Sequence, residues 1–522
     1  VIRLIFSVFF LIYILLQEKM KKSAGLFSKF LLFVERGGNA LPHPASLFGI
    51  LALLALIFSY IGYQLDWSGI HPATGEMIHT NNLLSKEGFH RIILEMVDNY
   101  TGFAPLGIVM VALLGIGIAE SSGLISAAIR LLVIKSPKQI ITFVVVFAGI
   151  LSNMASDLGY VLIIPMGAII FHSLGRHPIA GMAAAFAGVS GGFSANIFIG
   201  TIDPLLAGLS TESARILDPT YYVLPTANYY FMLASTFIIS FSGTWVTNKI
   251  VEPRLGKYEG NVVADKIEVL SKKERKALKW VLFVVAAWLV IVGLGIIPDQ
   301  GFLRGPENSI LRSPLLKGFI GFLFLFAGSM GVVYGFITGK YKSDADVIKG
   351  MVESFKTLVA FLVLVFFAAQ FVAYFKWSNL GLIVAINGAN ALQQMDIGLI
   401  PLVIIFILLS GFINMFMGSA SAKWAILGPV FIPMFMLLGY TPELSQAVFR
   451  IGDSVTNIIS PMMSFFALII VYFEKYDPKA GIGTLISTML PYSIAFFIFW
   501  TLLIIGWILL DLPLGPGAGI YL

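Results

Sequence analysis

The chain has 522 residues, of which 58% are hydrophobic and only 12% charged, and its mean hydropathy is +0.91. A soluble chain of this length carries about a quarter charged residues, so the composition describes a polytopic helical membrane protein. Cysteine is absent, which excludes disulfides, thiolate metal sites and cysteine nucleophiles. The net charge of +6 fits basic loops on one membrane face better than nucleic-acid binding.

Taken in order, residues 1–44 read as an N-terminal cytoplasmic or interfacial segment. The run Ile2–Leu16 is shorter than the ~20 residues that a span needs. Because Met20-Lys21-Lys22 resembles a start, residues 1–19 stay outside the topology. The first half, 45–248, begins with the span Ala45–Tyr63 and a polar loop to Tyr100. The run Gly102–Ile134 is long enough to tilt strongly or to bend at Glu120-Ser121-Ser122-Gly123. A hairpin at 137–175 follows, interrupted at Ser152–Asp157. Next come a broken helix at 178–207, interrupted at Gly188–Asn196, and the span Thr226–Asn248.

A charged cytoplasmic linker occupies 249–279. The second half, 280–510, carries the spans Trp280–Pro298, Gly318–Thr338 and Thr357–Asn390. Then come a hairpin at 399–439, broken at Gly418–Trp424, and a broken helix at 442–472, interrupted at Arg450–Asn457. The span Thr484–Leu510 and a tail at 511–522 complete the chain. The predicted fold is all-α: nine transmembrane helices plus two re-entrant helical hairpins.

Charge counting orients it. With both hairpins returning to the side they left, the segments on the N-terminal face hold 23 Lys and Arg against 6 on the other face. The N-terminus is therefore predicted cytoplasmic in a multi-pass inner-membrane protein.

The two halves share punctuation. Glu120–Ile125 matches Ser378–Ile383. Asn153 precedes Pro165-Met166 by the same distance as Ser421 precedes Pro433-Met434. Gly191–Ile197 matches Gly452–Ile458. The run 102–134 and its counterpart cross in opposite directions, so the repeat is inverted. Inverted repeats whose discontinuous helices meet near mid-membrane are the architecture of secondary transporters.

Two quasi-symmetric sites are expected at the interruptions, where freed carbonyls and Ser, Thr and Asn oxygens suit a small hard cation. One draws on Ser152, Asn153, Ser190, Ser194 and Asn196. The other draws on Asn414, Ser419, Ser421, Asp453, Thr456 and Asn457. Asp453 is the best ion or proton carrier; the other reading is that Arg450 and Asp453 form a structural pair at i, i+3. Lys423 could bind an anion or point to water, and Trp424 could stack on an aromatic substrate. Asp203-Pro204 could be a helix end near the outer surface. Glu120 and Lys376, inside long apolar runs, could mark a bend, a dimer surface or a transport role.

Enzyme patterns fail. Gly188-Val189-Ser190-Gly191 fits an intramembrane serine protease, but no His lies downstream of Ser190. Arg450-Ile451-Gly452-Asp453 lacks the first Gly of an aspartyl site, and neither an HExxH nor a phosphate-binding loop exists. The chain reads as a non-enzyme with no organic cofactor.

Glu35-Arg36-Gly37-Gly38-Asn39-Ala40-Leu41-Pro42-His43-Pro44, Ser152-Asn153, Ser419–Trp424, Arg450–Asp453 with Asn457, and Ser460-Pro461 together resemble the AbgT family of p-aminobenzoyl-glutamate transporters, over about 35–510. The resemblance implies a homodimer, Na⁺ near Asn414 and Asp453, and functional roles for Asp203, Ser421, Trp424, Arg450 and Pro461. It also implies transport of p-aminobenzoyl-glutamate or export of sulfonamide antimetabolites, driven by Na⁺ or H⁺. On this reading Asn414, Asp453 and Asn457 hold Na⁺, Arg450 takes the substrate's anionic group, and Trp424 takes its ring. Asn153 and Asn196 complete the site from the first copy. The alternative is a Na⁺-coupled importer of another small carboxylate.

Overall fold

Inside hydrocarbon a backbone satisfies its polar groups within its own segment, so the apolar runs fold as helices. The computed structural model describes residues 42–70, 75–154, 159–260, 262, 269–356 and 358–522. Most of the expected N-terminal segment, most of the Glu35–Pro44 motif, and Asp157 lie outside the described residues. The first half contains α1 (Pro44–Gln64), α2 (Lys86–Thr101), α3 (Ala104–Ser121), α4 (Leu124–Ile134), α5 (Ile141–Ser152), α6 (Ile164–Ser173), α7 (Pro178–Phe186), α8 (Ile202–Ala214) and α9 (Tyr229–Val246). The second contains α10 (Lys272–Ile296), α11 (Phe319–Thr338), α12 (Asp344–Lys356), α13 (Val359–Trp377), α14 (Leu380–Gln394), α15 (Leu399–Asn414), α16 (Ala420–Leu437), α17 (Pro442–Asn457), α18 (Phe466–Glu474) and α19 (Ile482–Leu509). A small antiparallel ribbon, Ser68–Ile70 with Met77–His79, joins α1 to α2. Among the described residues, eight helices are long and apolar enough to cross a bilayer.

The first long run bends at the expected position, and the second, expected as a single span, bends at its matching punctuation. Gly123 (φ 86°) separates α3 from α4, and Asn379 (φ 61°) separates α13 from α14. Glu120 and Lys376 sit just before these bends. Other limits moved. The helix begun by α7 continues as a π-type turn to Gly191, and the chain regains helix only at Ile202, so the interruption lies later than Gly188 and α8 runs on to Ala214. In the second copy Arg450–Asn457 is continuous helix, and the irregular stretch is Ile458–Phe465 around Ser460-Pro461. Its polar residues stay helical because other segments supply their partners.

Each hairpin is visible in its side chains. Arg176, after α6, donates to Thr142 Oγ1 at 2.8 Å near the start of α5, so both arms of the first hairpin end together. In the second, Phe406 of α15 stacks on Phe431 of α16 at 4.4 Å and lies 5.5 Å from Phe435. Loops assigned to one face also meet: Arg130 pairs with Glu274, Arg176 with Glu252, and Arg254 donates to the Ser487 carbonyl at 2.9 Å. At the other end Asn81 donates to the Trp377 carbonyl at 3.0 Å, and Tyr221 to Glu443 at 2.9 Å.

The hairpins and broken helices form the centre. All of α7 and every residue of α17 except Thr456 are buried, whereas the apolar window of α10 is only 11% buried. Glycine permits this packing. A Cβ on Gly188 would lie 2.1 Å from the Val146 carbonyl oxygen of α5, and one on Gly452 would lie 2.3 Å from that of Ile407 on α15. Each copy thus lays its broken helix against the first arm of its own hairpin through a glycine, a small-residue contact typical of membrane helices.

Candidate functional site

Gln446, Arg450, Asp453 and Asn457 are spaced four, three and four residues apart on α17. With 3.6 residues per turn they fall within about 60° of one another. All four are buried, at 2%, 4%, 1% and 6% exposure. A polar stripe in this setting requires partners, and it finds them in two directions. Gln446 and Arg450 meet α8 of the first copy. Asp453 and Asn457 meet the break of the second hairpin.

At the first position Arg450 Nη2 donates to Asp203 Oδ1 at 2.6 Å. Asp203 lies in the first turn of α8, where a carboxylate is favoured by the helix dipole, and its Oδ2 accepts from Gly200 N at 2.7 Å. It is 1% exposed, so it is no surface helix end. Arg450 therefore pairs across the repeat rather than with Asp453. Its Nε is buried without a hydrogen-bond partner, leaving a donor for an anionic group.

At the second position Asp453 Oδ1 pairs with Lys423, which also donates to Asn414 Oδ1. Lys423 is 1% exposed, so it neither points to water nor stands free for an anion. Asn414 Nδ2 lies 2.7 Å from the Asp453 carbonyl, 2.8 Å from Thr456 Oγ1 and 2.8 Å from Asn457 Oδ1. Asp453 Oδ2 is buried with no hydrogen-bond partner. The Asp453 carboxylate and the Asn414 amide oxygen are hard donors of the kind a cation such as Na⁺ takes, and both contact the Lys423 ammonium.

Trp424, the next residue, is 0% exposed and stacks on Phe449 of α17, with ring centroids 4.5 Å apart and planes 26° apart. Its Nε1 donates to Ser210 Oγ at 2.9 Å, and Ser210 donates to Gln446 Oε1 at 2.7 Å. Gln446 Nε2 donates to Asn228 Oδ1 at 2.8 Å, and Asn228 donates to the Glu443 carbonyl at 2.9 Å. Sequence reasoning passed over Ser210, Asn228, Glu443 and Gln446. The signals were the four–three–four stripe for Gln446 and the seven-residue spacing of Asp203 and Ser210 on one face of α8.

The first copy supports from below. Asn153 Nδ2 donates to the Gly192 carbonyl at 3.5 Å, and Asn196 Nδ2 donates to that of Ile150 at 3.3 Å. Asn196 Oδ1 accepts from the amides of Ile197 and Phe198. These side chains staple the first hairpin to the unwound stretch. The copies touch where Ser194 N donates to Ser454 Oγ at 3.2 Å and Asn457 Nδ2 to the Ser190 carbonyl at 3.5 Å. Ser421 Oγ lies 3.3 Å from Ser419 Oγ. Beside half-buried Pro461, Ser460 Oγ donates to the Asn414 carbonyl at 3.1 Å. An apolar groove lined by Ile407, Gly411, Met415, Thr456, Ile459 and Phe497 includes only Thr456 of the candidate residues.

Two helical hairpins, each packed against a broken helix, with a buried polar stripe between the two copies, fit a secondary-transporter architecture. The chain belongs to the AbgT putative transporter family, whose model matches residues 29–522. It is 38% identical over 486 residues to the p-aminobenzoyl-glutamate transport protein of Escherichia coli strain K12, covering 93% of this chain and 96% of that one. Two solved structures are similar throughout. The Alcanivorax borkumensis YdaH transporter, noted for an unusual topology, has a TM-score of 0.87 at 45% identity, covering 91% of this chain and 100% of that one. Neisseria gonorrhoeae MtrF, described as illuminating a class of antimetabolite efflux pumps, has a TM-score of 0.89 at 50% identity, covering 94% and 100%. The family is one of transporters, not enzymes.

Proposed function

We propose that the chain is an ion-coupled secondary transporter of p-aminobenzoyl-glutamate or related aromatic compounds, and that it exports sulfonamide antimetabolites across the bacterial inner membrane. The observation that carries this reading is the layout along α8. Asp203 holds Arg450, and seven residues on, Ser210 holds Trp424. Two helical turns place the cationic and aromatic stations about 10 Å apart. That separation suits a ligand with a benzoyl ring at one end and carboxylates at the other. The names of the Escherichia coli and gonococcal relatives support the same substrate classes.

In this role Arg450 takes the substrate's anionic group through its uncommitted Nε, and Trp424 receives the ring. Asp203 keeps the guanidinium aimed between the copies. Both stations are shut from solvent, so substrate reaches them when the second hairpin moves. Asn414, Asp453 and Asn457 are the residues that would hold a coupling Na⁺, or Asp453 a proton. A bound ion supplies the charge whose movement across the membrane potential contributes about 2.3 kcal/mol per 100 mV. The proposal includes a homodimer, which the family resemblance implies, and the charge asymmetry of the loops supports a cytoplasmic N-terminus.

Proteoliposomes with separately imposed Na⁺ and proton gradients test the proposal. Labelled p-aminobenzoyl-glutamate and a sulfonamide should move in response to one gradient, and Asp453→Ala should abolish that response. Equal gradient-driven movement by Asp453→Ala removes the coupling role, and no movement of either compound by the wild type removes the substrate reading.

A further inference from the structure

Lys423 stands in the first turn of α16, and the positive end of a helix disfavours a cation. It is also buried. A lysine held there needs strong compensation, and it receives two contacts: the Asp453 carboxylate and the Asn414 amide oxygen. Those are the same two oxygen-bearing side chains that suit a hard cation. The ammonium sits where such an ion would sit, at the end of a long side chain that can withdraw. Asp453 Oδ2 remains without a hydrogen-bond partner, so the ammonium satisfies the carboxylate only in part.

Resting on the ion-coupled reading above, we infer that Lys423 is a tethered cation occupying the coupling-ion position, so that the Lys423 ammonium and Na⁺ hold Asp453 and Asn414 in alternation and never together. Two cations within contact of one buried carboxylate repel each other strongly. An Asp453 with neither would be an uncompensated buried charge. The lysine therefore gives the empty carrier a neutral pair at Asp453 with no ion from solution. Because Lys423 adjoins Trp424 on α16, its withdrawal would act directly on the residue stacked against Phe449. Ion arrival and loosening of the aromatic station are thereby linked.

The test reads ion binding rather than transport. The full chain in detergent is unfolded thermally across a Na⁺ titration, with choline keeping ionic strength constant, for wild type, Lys423→Arg and Lys423→Met. A ligand that binds only the folded state raises the unfolding midpoint with its concentration. Lys423→Met should bind Na⁺ at least about tenfold more tightly than wild type, a difference of about 1.4 kcal/mol. Lys423→Arg, which keeps a tethered cation, should bind no better than wild type. The gain should vanish in Lys423→Met/Asp453→Asn. Should Lys423→Met not fold, Lys423→Gln, whose amide can still donate to Asn414 Oδ1, decides by the same comparison. Equal Na⁺ affinity in wild type and the neutral variant, no Na⁺ response in any variant, or a gain that survives Asp453→Asn each overturns the inference. None of these outcomes bears on which solute is moved, which the proteoliposome experiment decides separately.

Discussion

Arg450 and Asp203, 247 positions apart in sequence, meet at 2.6 Å between the broken helices of the two copies. The pair is nearly solvent-free, so each charge depends on the other. Removing one partner of such a pair costs about 3–5 kcal/mol, because the survivor is left buried and unpaired. Asp203→Ala is expected to lower stability by that amount, and Asp203→Ala/Arg450→Met to recover much of it. Thermal unfolding of the four proteins in a double-mutant cycle gives the coupling. Additive losses would mean that the pair is not a unit.

The helices and the bend after Glu120 were legible in the sequence, because a span of about 20 apolar residues is a strong signal and a longer run must tilt or bend. The bend at Asn379 showed only as shared punctuation. The continuity of the helix through Arg450–Asn457 was not legible, because polar residues inside an apolar run read as unwinding. Here Asp203, Lys423 and Asn414 satisfy the polar residues and the helix continues. The pairing of Arg450 was hidden for a related reason: Asp453 is near in sequence, but partners hundreds of residues away leave no local trace. The linker concealed a readable signal, the capping box Ser271–Glu274, where Ser271 N donates to Glu274 Oε2 at 2.7 Å and starts α10 eight residues before the apolar run. Amphipathic α2, capped by Ser85 and lying in what reads as a polar loop, was missed in the same way.

Trp424 separates packing from hydrogen bonding. Trp424→Phe keeps a ring against Phe449 but leaves Ser210 Oγ without its indole donor, and should cost about 1 kcal/mol. Trp424→Ala empties a fully buried site and should cost about 3–5 kcal/mol. If the ring of the substrate stacks here, the alanine variant should also raise KM by up to about tenfold, the worth of one aromatic pair. Concentration series of labelled substrate measure this, and an unchanged KM in Trp424→Ala would remove the residue from the substrate path.

Gly452 fixes the distance between α17 and α15. A Cβ there would meet the Ile407 carbonyl at 2.3 Å and the Ser410 Cβ at 2.7 Å, so Gly452→Ala must push α15 away. Overpacking of this kind costs about 1–3 kcal/mol, and α15 carries Asn414 at its end, so ion-dependent transport should fall as well. Gly483, in the first turn of α19, serves as the control, because a Cβ added there would meet nothing within 4 Å. Gly483→Ala should leave both unfolding and transport near wild type. Equal behaviour of the two variants would show that the close approach at Gly452 is not needed.

His177 lies outside the spans, in the turn between the first hairpin and α7, where its Nδ1 accepts from Ile179 N at 3.2 Å. Burial pushes its pKa below 6.5, against the opposing pull of the Glu252 and Asp477 carboxylates. A histidine whose folded pKa is lowered binds fewer protons folded than unfolded, so it favours the folded state above the unfolded pKa. That contribution declines as pH falls through 6.5 toward the lowered folded value, and protonation also removes the Nδ1 acceptor that caps α7. Asn is a good cap without a titrating group, so His177→Asn should keep the cap and lose the pH dependence. Unfolding midpoints measured between about pH 7.5 and pH 5, at about half-unit steps across the pKa range of histidine, should fall more steeply in wild type than in the variant. Parallel curves, or a wild type that gains on the variant as pH falls, would mean that His177 does not titrate in this way.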